Sequence, residues 1–379
     1  MRVLFHVQHL LGVGHLRRGE LITRALAARG IEVTVALGGH PVPEMPFADA
    51  DVVALPPVSI EGANFKTLYD DAGQPITEAW KAARVKALID VYDAVRPDVV
   101  LMEMFPFGRW RFRFELVPLV EHVKADNRPV QCVTSVRDIL VASQRPDRAT
   151  FAARFARDHL SAVLVHADPT LFTFDETYPH AGEIADLIHY TGYVTEDAER
   201  GPGERNGKVV VSAGGGAAAG SLLRTALAAR ELCPPTIRDR DWHILTGARA
   251  SDADTAALVA KADRRTIVER FSPRFQALLD GAALSISQAG YNTVMNLLRA
   301  KIPAVVVPYE DGGETEQAFR AMRLEQRNLL NVVNGAALSP QTLAAAIVSA
   351  DARRDRPVSR IDLEGASASA AAIERLIRT

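Results

Sequence analysis

Short apolar runs rich in β-branched residues alternate with longer amphipathic segments through the first half of the chain. The runs predict strands at Val3–Val7, Glu32–Ala36, Val52–Leu55, Val99–Met102, Val130–Thr134 and Ala162–Val165. The segments between them have the 3.6-residue period of helices, and predict them at Leu16–Arg29, Thr77–Val95, Phe112–Lys124 and Asp147–Leu160. Such alternation is typical of a parallel sheet with helices on its faces.

The pattern stops between Val194 and Gly207, where charged residues, Pro202 and three glycines show no periodicity, and then it starts again. The second series predicts strands at Val209–Ser212, Trp242–Thr246, Thr266–Glu269, Leu284–Ile286 and Ala304–Val307. It predicts helices at Ser221–Leu232, Thr255–Ala262, Pro273–Leu279, Thr293–Arg299 and Glu314–Arg327.

Two such series predict an α/β protein with two Rossmann-like, doubly wound domains that face each other across a cleft. A length of 379 residues suits two domains better than one core. We place the N-terminal domain at 1–195, a linker at 196–207 and the C-terminal domain at 208–365. A final helix, within 366–379, is predicted to cross back to the first domain.

Composition limits the function in a few ways. Hydrophobic residues make up 48% of the chain and charged residues 24%, which indicates a folded globular protein. The net charge of -2 gives no electrostatic reason to expect a nucleic-acid partner. The two cysteines, Cys132 and Cys233, are predicted to be buried thiols rather than a disulfide. With no long apolar stretch, we expect a cytoplasmic protein.

The first strand runs into a glycine-containing turn, Gly12-Val13-Gly14-His15, which opens a helix. Glycine permits unusual backbone geometry there, and a helix N-terminus favours an anion or developing negative charge. Gly14 is therefore a candidate substrate-binding residue, and His15 a candidate catalytic base at the carboxyl edge of the sheet. The alternative for His15 is a structural or surface histidine.

A second glycine-rich turn follows the first strand of the second series. Ser212 ends that strand, and Gly214, Gly215 and Gly216 let the backbone approach a ligand and offer it several N–H groups. The alternative is a mobile loop without a ligand. Thr246, which ends the next predicted strand, is also a substrate-binding candidate.

The stretch from Phe271 to Gln317 carries the densest set of candidate substrate-binding residues. Phe271 can present its ring to a nucleobase, and the turn Ser287-Gln288-Ala289-Gly290 opens a helix whose first N–H groups suit a phosphate. Gln288 and Gly290 line that turn, and Asn292 and Thr293 can add side-chain hydrogen bonds. The alternative for Asn292 is a simple N-cap.

A buried strand between Pro303 and Pro308 leads to an acidic loop and to Glu316-Gln317. The carboxylate and the amide of this pair can bind sugar or ribose hydroxyls. An acidic first turn also suits a helix dipole without any ligand, and that alternative stays open.

The N-terminal half adds two cleft-edge candidates. Glu103 ends a buried strand and can bind an acceptor hydroxyl or assist His15, although a salt bridge to Arg109 is an equal alternative. Arg137, after the Cys132 strand, can meet an acidic acceptor. Basic and aromatic residues alternate from Arg109 to Phe114, which suits either peripheral contact with the inner face of a membrane or, as we favour, a half-buried helix start.

The order of these motifs resembles the MurG-type glycosyltransferases (family 28) and the wider GT-B superfamily. The matching positions are Gly12-Val13-Gly14-His15, Gly214–Gly216, Ser287-Gln288-Ala289-Gly290, Pro303 to Pro308, and Glu316-Gln317. The resemblance implies a GT-B fold and a nucleotide-diphosphate sugar donor, usually UDP-linked, bound by the C-terminal domain. It also implies an unknown acceptor and inversion at the anomeric carbon without an essential metal.

One position departs from this family pattern. Asn296 stands where the MurG-type motif has a ribose-contacting glutamate, so the nucleotide stays open. Asp252-Ala253-Asp254 and Asp49-Ala50-Asp51 have a metal-like spacing, but we assign the first to a helix start and the second to a strand approach. We predict neither a metal nor a cofactor, because the nucleotide-sugar is a co-substrate.

The predicted function is glycosyl transfer, with His15 as general base, since an imidazole pKa near 6.5 suits proton transfer at neutral pH. The turn from Gly12 to Arg18 also resembles the nucleotide-sugar hydrolase of the pseudaminic-acid pathway, in which water replaces the acceptor. A catalytically silent nucleotide-sugar-binding protein and, less favoured, a non-hydrolysing sugar epimerase are further alternatives.

Overall fold

The computed structural model describes residues 1–10, 14–43, 45–60, 67–140, 146–196, 207–213, 219–247, 250–272, 274–309, 315–353 and 360–378. The chain forms two compact units. The first unit combines Met1–Thr195 with Asp362–Thr379, and the second consists of Glu196–Ile361. The proposed linker falls largely on 197–206, which lie outside the described residues.

The first unit is built on a parallel sheet in which seven strands are described, in the order β3-β2-β1-β4-β5-β6-β7. The strands are β1 Arg2–Val7, β2 Glu32–Leu37, β3 Asp51–Ala54, β4 Val99–Glu103, β5 Gln131–Arg137, β6 Ala162–His166 and β7 Ile188–Tyr190. The helices of its N-terminal part are α1 Gly14–Ala27, α2 Glu78–Val95, α3 Arg113–Ala125 and α4 Pro146–His159. A short 3₁₀ turn, Trp110–Phe112, precedes α3.

The second unit repeats this architecture on a parallel sheet in which six strands are described, in the order β10-β9-β8-β11-β12-β13. The strands are β8 Val209–Ser212, β9 Trp242–Leu245, β10 Thr266–Glu269, β11 Leu284–Gln288, β12 Ala304–Val307 and β13 Asn331–Val332. The helices are α5 Ala219–Leu232, α6 Pro235–Arg238, α7 Asp252–Val259, α8 Phe275–Asp280, α9 Tyr291–Ala300, α10 Glu316–Gln326 and α11 Pro340–Asp351.

Burial explains why the central strands other than β11, whose sequence is Leu-Ser-Ile-Ser-Gln, are largely apolar. Every residue of β4, β6, β8, β9, β11 and β12 is buried. A parallel strand covered by helices on both faces has no solvent side, so its side chains do not alternate between apolar and polar. In each unit the strand order reverses between two central strands, β1 and β4 in the first and β8 and β11 in the second. Ligands of doubly wound sheets bind at such points, outside the carboxyl ends of the strands.

Among the described strands and α-helices, four were not predicted from the sequence, namely β7, β13, α6 and α11. The strands β7 and β13 have only three and two residues, too few to show a period. Helix α11 did have a signal, because Ser339 and Thr342 form a capping box and Pro340 occupies the first helical turn.

The last helix, α12, runs from Gly365 to Arg378 and belongs to the first unit. It packs against α1, and its Ala370, Ala372 and Ile373 join the buried core of that unit. A bridge between Val194 and Glu364 leads into it. Gly365 sits where a Cβ atom would overlap the backbone of the 192–193 segment, so glycine allows the close approach.

Both cysteines are free and buried, as the sequence predicts. Burial raises the pKa of Cys132 to about 12 and that of Cys233 to about 11, so neither is a thiolate at neutral pH. Within the part of the chain that is described, no helix is both long and apolar enough to span a membrane.

Candidate active site

In the first unit, the switch point between β1 and β4 brings His15 and Glu103 together. His15 lies in the first turn of α1, Glu103 is the last residue of β4, and His15 Nδ1 is 2.6 Å from Glu103 Oε1. The side chain of His15 is 24% exposed, whereas that of Glu103 is 1% exposed. A buried carboxylate thus holds a histidine that still reaches solvent.

This hydrogen bond decides which nitrogen of His15 can act as a base. An ionised carboxylate only accepts, so Nδ1 carries the hydrogen and Nε2 keeps its lone pair. Glu103 also holds the orientation of the ring, and its carboxylate would stabilise an imidazolium if Nε2 took a proton. Glu103 contacts both His15 and Arg109, because Arg109 Nε lies 3.4 Å from Glu103 Oε2. The salt bridge to Arg109 is therefore present, and assistance to His15 stays a prediction.

The electrostatics keep His15 neutral and Glu103 ionised. Burial, followed by the charge of Arg109, lowers the pKa of His15 to about 4, although Glu103 opposes both. Burial raises the pKa of Glu103, but His15, Arg109 and Arg18 outweigh it and hold that pKa below its ordinary range. At neutral pH the pair is therefore a neutral imidazole beside a carboxylate, which is the state a general base requires.

A pH profile should show this shift directly. A base acts only while deprotonated, so a lowered pKa preserves activity as the pH falls and moves the acid limb of kcat/KM from near 6.5 toward about 4. Samples held at each pH and then assayed at neutral pH serve as the control for acid denaturation. A limb near the ordinary histidine value would contradict the burial-driven shift.

More charged and polar groups surround Glu103 than the sequence indicates. Arg18, one helical turn after His15, contacts Glu103 Oε1 directly and is itself buried. On the neighbouring strand Ser135 pairs with Glu103, and its hydroxyl is 2.7 Å from His166 Nε2. Arg137 follows Ser135 by two residues and pairs with His166 across β5 and β6, so it lies on the same face of the sheet.

A second buried network, which no sequence motif indicates, lies at the carboxyl end of β1. Arg84 of α2 contacts Glu115 of α3 through two nitrogens and donates to Gln8 Oε1 at 2.7 Å. His6 Nε2 lies 3.1 Å from the same carboxylate. Gly38 leaves room for this cluster, since a Cβ there would overlap Gln8 and Arg84. These groups anchor the carboxyl end of β1.

In the second unit, the predicted substrate-binding residues Ser212, Thr246 and Gln288 lie at the carboxyl edge of the sheet. Ser212 and Ser287 are register partners on adjacent strands and face the same way, while Gln288 ends β11. Within the described ranges, the buried hydroxyls of Ser212, Ser287 and Thr246 have no hydrogen-bond partner. Buried hydroxyls of this kind are suited to a polar ligand. The predicted cradle Gly214, Gly215 and Gly216 lies outside the described residues.

The start of α9 is the helix N-terminus that the sequence predicts. Gly290 is the N-cap, with φ -62° and ψ 146°, and no side chain caps the first N–H groups. Asn292 and Thr293 are the second and third helical residues, so the alternative that Asn292 is merely an N-cap is wrong. Phe271 follows β10 and is 56% exposed, so its ring is available to contact a nucleobase.

Glu316 and Gln317 begin α10, and the structure gives both an intramolecular partner. Glu316 is buried and lies 2.7 Å from Arg320, whose guanidinium is 5.3 Å from the centre of the Tyr291 ring. Gln317 Oε1 accepts a hydrogen bond from the Tyr309 backbone N–H at 3.1 Å. The contact of this pair with a sugar stays a prediction, and the loop before it, 310–314, lies outside the described residues.

Sequence comparison identifies the second half of the chain. Residues 209–376 match the family model described as Glycosyltransferase family 28 C-terminal domain. The match continues past the second compact unit into α12, which packs in the first. A sequence search of curated proteins found no match.

Solved structures identify the fold of the whole chain. The calicheamicin glycosyltransferase CalG4 matches with a TM-score of 0.65 at 15% identity, over 99% of this chain and 97% of that one. The spinosyn rhamnosyltransferase SpnG matches with a TM-score of 0.63 at 18% identity, over 100% of this chain and 99% of that one. MurG from Acinetobacter baumannii matches with a TM-score of 0.60 at 14% identity, over 100% of this chain and 99% of that one. The predicted GT-B glycosyltransferase fold is confirmed.

Two sequence alternatives receive structural explanations within this fold. Asp252 begins α7, whose N-cap Ser251 accepts from the Asp254 N–H, so this Asp pair belongs to a helix start. In the described ranges no group of His, Cys, Asp and Glu side chains is arranged to hold a metal ion. Asn296 lies one turn beyond Asn292 on α9, an amide at the position where the resemblance implies a carboxylate.

The segment from Arg109 to Phe114 has the half-buried form that we favoured. Phe112 is buried, and the Trp110 ring packs edge-on against Phe151 at 5.1 Å between centres. The Arg113 guanidinium stacks 4.7 Å from the centre of the Trp110 ring. The aromatic residues are therefore used in packing, and peripheral membrane contact stays a prediction.

Proposed function

We propose that this protein transfers a sugar from a nucleotide-diphosphate sugar to an acceptor hydroxyl, with inversion at the anomeric carbon and without a metal. The observation that carries the proposal is the His15–Glu103 pair, with its Nδ1–Oε1 distance of 2.6 Å, at the switch point of the first sheet. The family 28 match of residues 209–376 supports a donor site in the second unit.

The proposed reaction is a single displacement. Nε2 of His15 takes the proton of the acceptor hydroxyl while that oxygen forms a bond to the anomeric carbon. The bond from the anomeric carbon to the phosphate oxygen breaks, and the nucleoside diphosphate leaves with the electron pair. Attack opposite the leaving group inverts the configuration, and Glu103 stabilises the imidazolium until the proton is lost to solvent.

The leaving diphosphate needs positive charge or N–H donors. The uncapped start of α9, with Asn292 and Thr293 in its first turn, offers them. The predicted Gly214–Gly216 turn would add further N–H groups. These donors support transfer without a metal, because they can neutralise the developing charge themselves.

UDP is our first candidate nucleotide. Because Asn296 replaces the glutamate that contacts the ribose in the MurG-type motif, the identity of the nucleotide has to be determined by experiment. One similar structure is a complex of SpnG with thymidine diphosphate, and another is a UDP-glucosyltransferase from Polygonum tinctorium. Both nucleotides therefore belong in any test.

The proposal is tested by incubating the protein with UDP- and TDP-sugars, with and without mixed acceptors, and identifying products by mass spectrometry. Transfer predicts a new glycoside and nucleoside diphosphate release that depends on the acceptor. Release at the same rate from donor alone would support the hydrolase instead. Binding without turnover would support a silent sugar-nucleotide-binding protein.

Gln317→Ala is expected to weaken binding of the whole sugar-nucleotide far more than binding of the bare nucleoside diphosphate. A site built to bind a hydroxyl loses that discrimination when its polar partner is removed. Calorimetry with both ligands measures the two losses, and Gln326→Ala, an exposed glutamine at the end of the same helix, is the matched control. Equal losses would instead assign Gln317 to holding the Tyr309 N–H.

A further inference from the structure

Several guanidinium groups lie close to the Glu103 carboxylate. Arg18 contacts its carboxylate, Arg109 lies 3.4 Å from it, and the charge of Arg137 is near enough to lower the pKa of Arg109. Within the described residues, the Glu103 carboxylate is therefore shared by at least two guanidinium groups, those of Arg18 and Arg109.

Arg109 makes the weaker of the two guanidinium contacts with the Glu103 carboxylate. Arg18 makes the closer contact with Glu103, whereas Arg109 reaches it only through Nε at 3.4 Å, a long hydrogen bond. Within the described ranges its Nη2 atom is buried and has no hydrogen-bond partner. A buried donor of a charged group without a partner is costly, so this donor is suited to an anionic ligand.

The backbone of Arg109 has an unusual conformation. Its φ of 55° is in the left-handed region, which costs a residue with a side chain about 1–2 kcal/mol. The side chain is only 14% exposed, so it does not extend into solvent as a surface arginine would. Strain and burial at one residue, next to the proposed base, are features of functional sites.

We propose that the acceptor carries a carboxylate or phosphate group, which Arg109 binds with Arg137 beside it, close to the hydroxyl that His15 deprotonates. A guanidinium matches either anion with two parallel N–H donors. This inference rests on the proposed function, because it names the acceptor of that same site.

An anionic acceptor would also improve the base. After burial, the charge of Arg109 is the largest cause that lowers the pKa of His15, with Arg18 adding to it and Glu103 opposing. An anion on Arg109 would offset that charge and raise the pKa of His15 toward neutrality, where a general base is most effective. The acceptor would then activate the group that deprotonates it.

The binding test uses three small probes that differ only in their charged group, namely 4-fluorobenzoate, 4-fluorophenyl phosphate and neutral 4-fluorobenzamide. Each is titrated into the full-length protein by ¹⁹F NMR, with UDP or TDP present at saturation to occupy the donor site. We expect one or both anions to bind and the amide not to bind. A preference between the two anions identifies the acceptor group as carboxylate or phosphate. An amide that binds as tightly as both anions would overturn the proposal.

Variants at the arginine give the decisive comparison. Arg109→Gln should weaken anion binding about 10- to 100-fold, the range for a lost charge-assisted hydrogen-bonded contact. Arg109→Lys keeps the positive charge but loses the two parallel N–H donors of the guanidinium. It should weaken anion binding less than Arg109→Gln does. Arg111→Gln removes the same charge from an exposed residue of the same segment and should leave binding unchanged. Anion binding that is equal in wild type and Arg109→Gln would refute the assignment.

The donor offers another anion that this cluster could serve, and one further measurement separates the two. The affinities of Arg109→Gln for UDP and TDP should match those of wild type. A loss of nucleotide affinity as large as the loss of probe affinity would assign the cluster to the donor diphosphate and overturn the proposal. The probe titrations need no turnover, so an inactive protein in the nucleotide-sugar assay would count against the proposed function alone.

Discussion

Replacing His15 with alanine is expected to lower the turnover number by about 10²–10⁴-fold, the range typical of losing a general base. The reason is that Nε2 of His15 is the group proposed to accept the acceptor proton, and a buried carboxylate fixes its tautomer. Donor affinity should change little, because the donor motifs belong to the second unit. Steady-state kinetics with an identified donor and acceptor, together with donor calorimetry, measures both quantities.

The surface of the same unit provides a matched control for this variant. His122 Nε2 lies 2.8 Å from Asp93, a histidine–carboxylate pair of the same kind, but its side chain is 38% exposed and lies on α3. His122→Ala should retain wild-type turnover. If His15→Ala is equally active, or if it simply fails to bind donor, the histidine is structural and the proposed mechanism is wrong.

Replacing Arg84 with methionine should destabilise the first unit by about 3–5 kcal/mol, the usual result of removing one partner of a buried ion pair. Both Arg84 and Glu115 have fully buried side chains. Without Arg84, the Glu115 carboxylate keeps His6 but loses its two guanidinium contacts, and the Gln8 side chain loses a donor. Amide hydrogen exchange of β1 and β4 measures the opening free energy of this unit separately from the other.

The same helix supplies the comparison for Arg84. Lys86 lies on α2 and pairs with Asp90 four residues later, but its side chain is 75% exposed. Lys86→Met should cost less than about 1 kcal/mol, because exposed pairs contribute little. Arg84→Lys should recover only part of the loss, since an ammonium cannot reproduce the forked contact. Similar protection in Arg84→Met and Lys86→Met would show that the buried network does not anchor β1.

The fold was predictable because its signals are local. A buried parallel strand such as β12, Ala304–Val307, is an uninterrupted β-branched run, and the structure gives it the predicted bounds. The predicted helix start near Thr293 was two residues late, because Tyr291 and Asn292 have no strong helical preference. The two-residue strand β13 forms only by pairing with β12, which sequence periodicity cannot show.

The candidate site was only partly predictable, for a related reason. His15 and Glu103 each stood out because a strand ended or a helix began beside them, but their contact joins residues 88 positions apart. Arg18 looked like one of two adjacent arginines on a helix, and only the packing of α1 shows that it is buried against Glu103. His166 and Arg84 lie inside regular elements without any local motif. Their roles depend on neighbours that only the folded sheet provides.

The discontinuity of the first unit has a consequence for its biosynthesis. Helix α12 supplies core side chains to α1, yet it is encoded after the whole of the second unit. During translation the first sheet can form early, but its core stays incomplete until residues 365–378 have been made. The second unit is a continuous range, Glu196–Ile361, and can finish first. A nascent chain would therefore expose the apolar side of α1 for the longest time, which makes this helix the expected site for chaperone binding while synthesis continues.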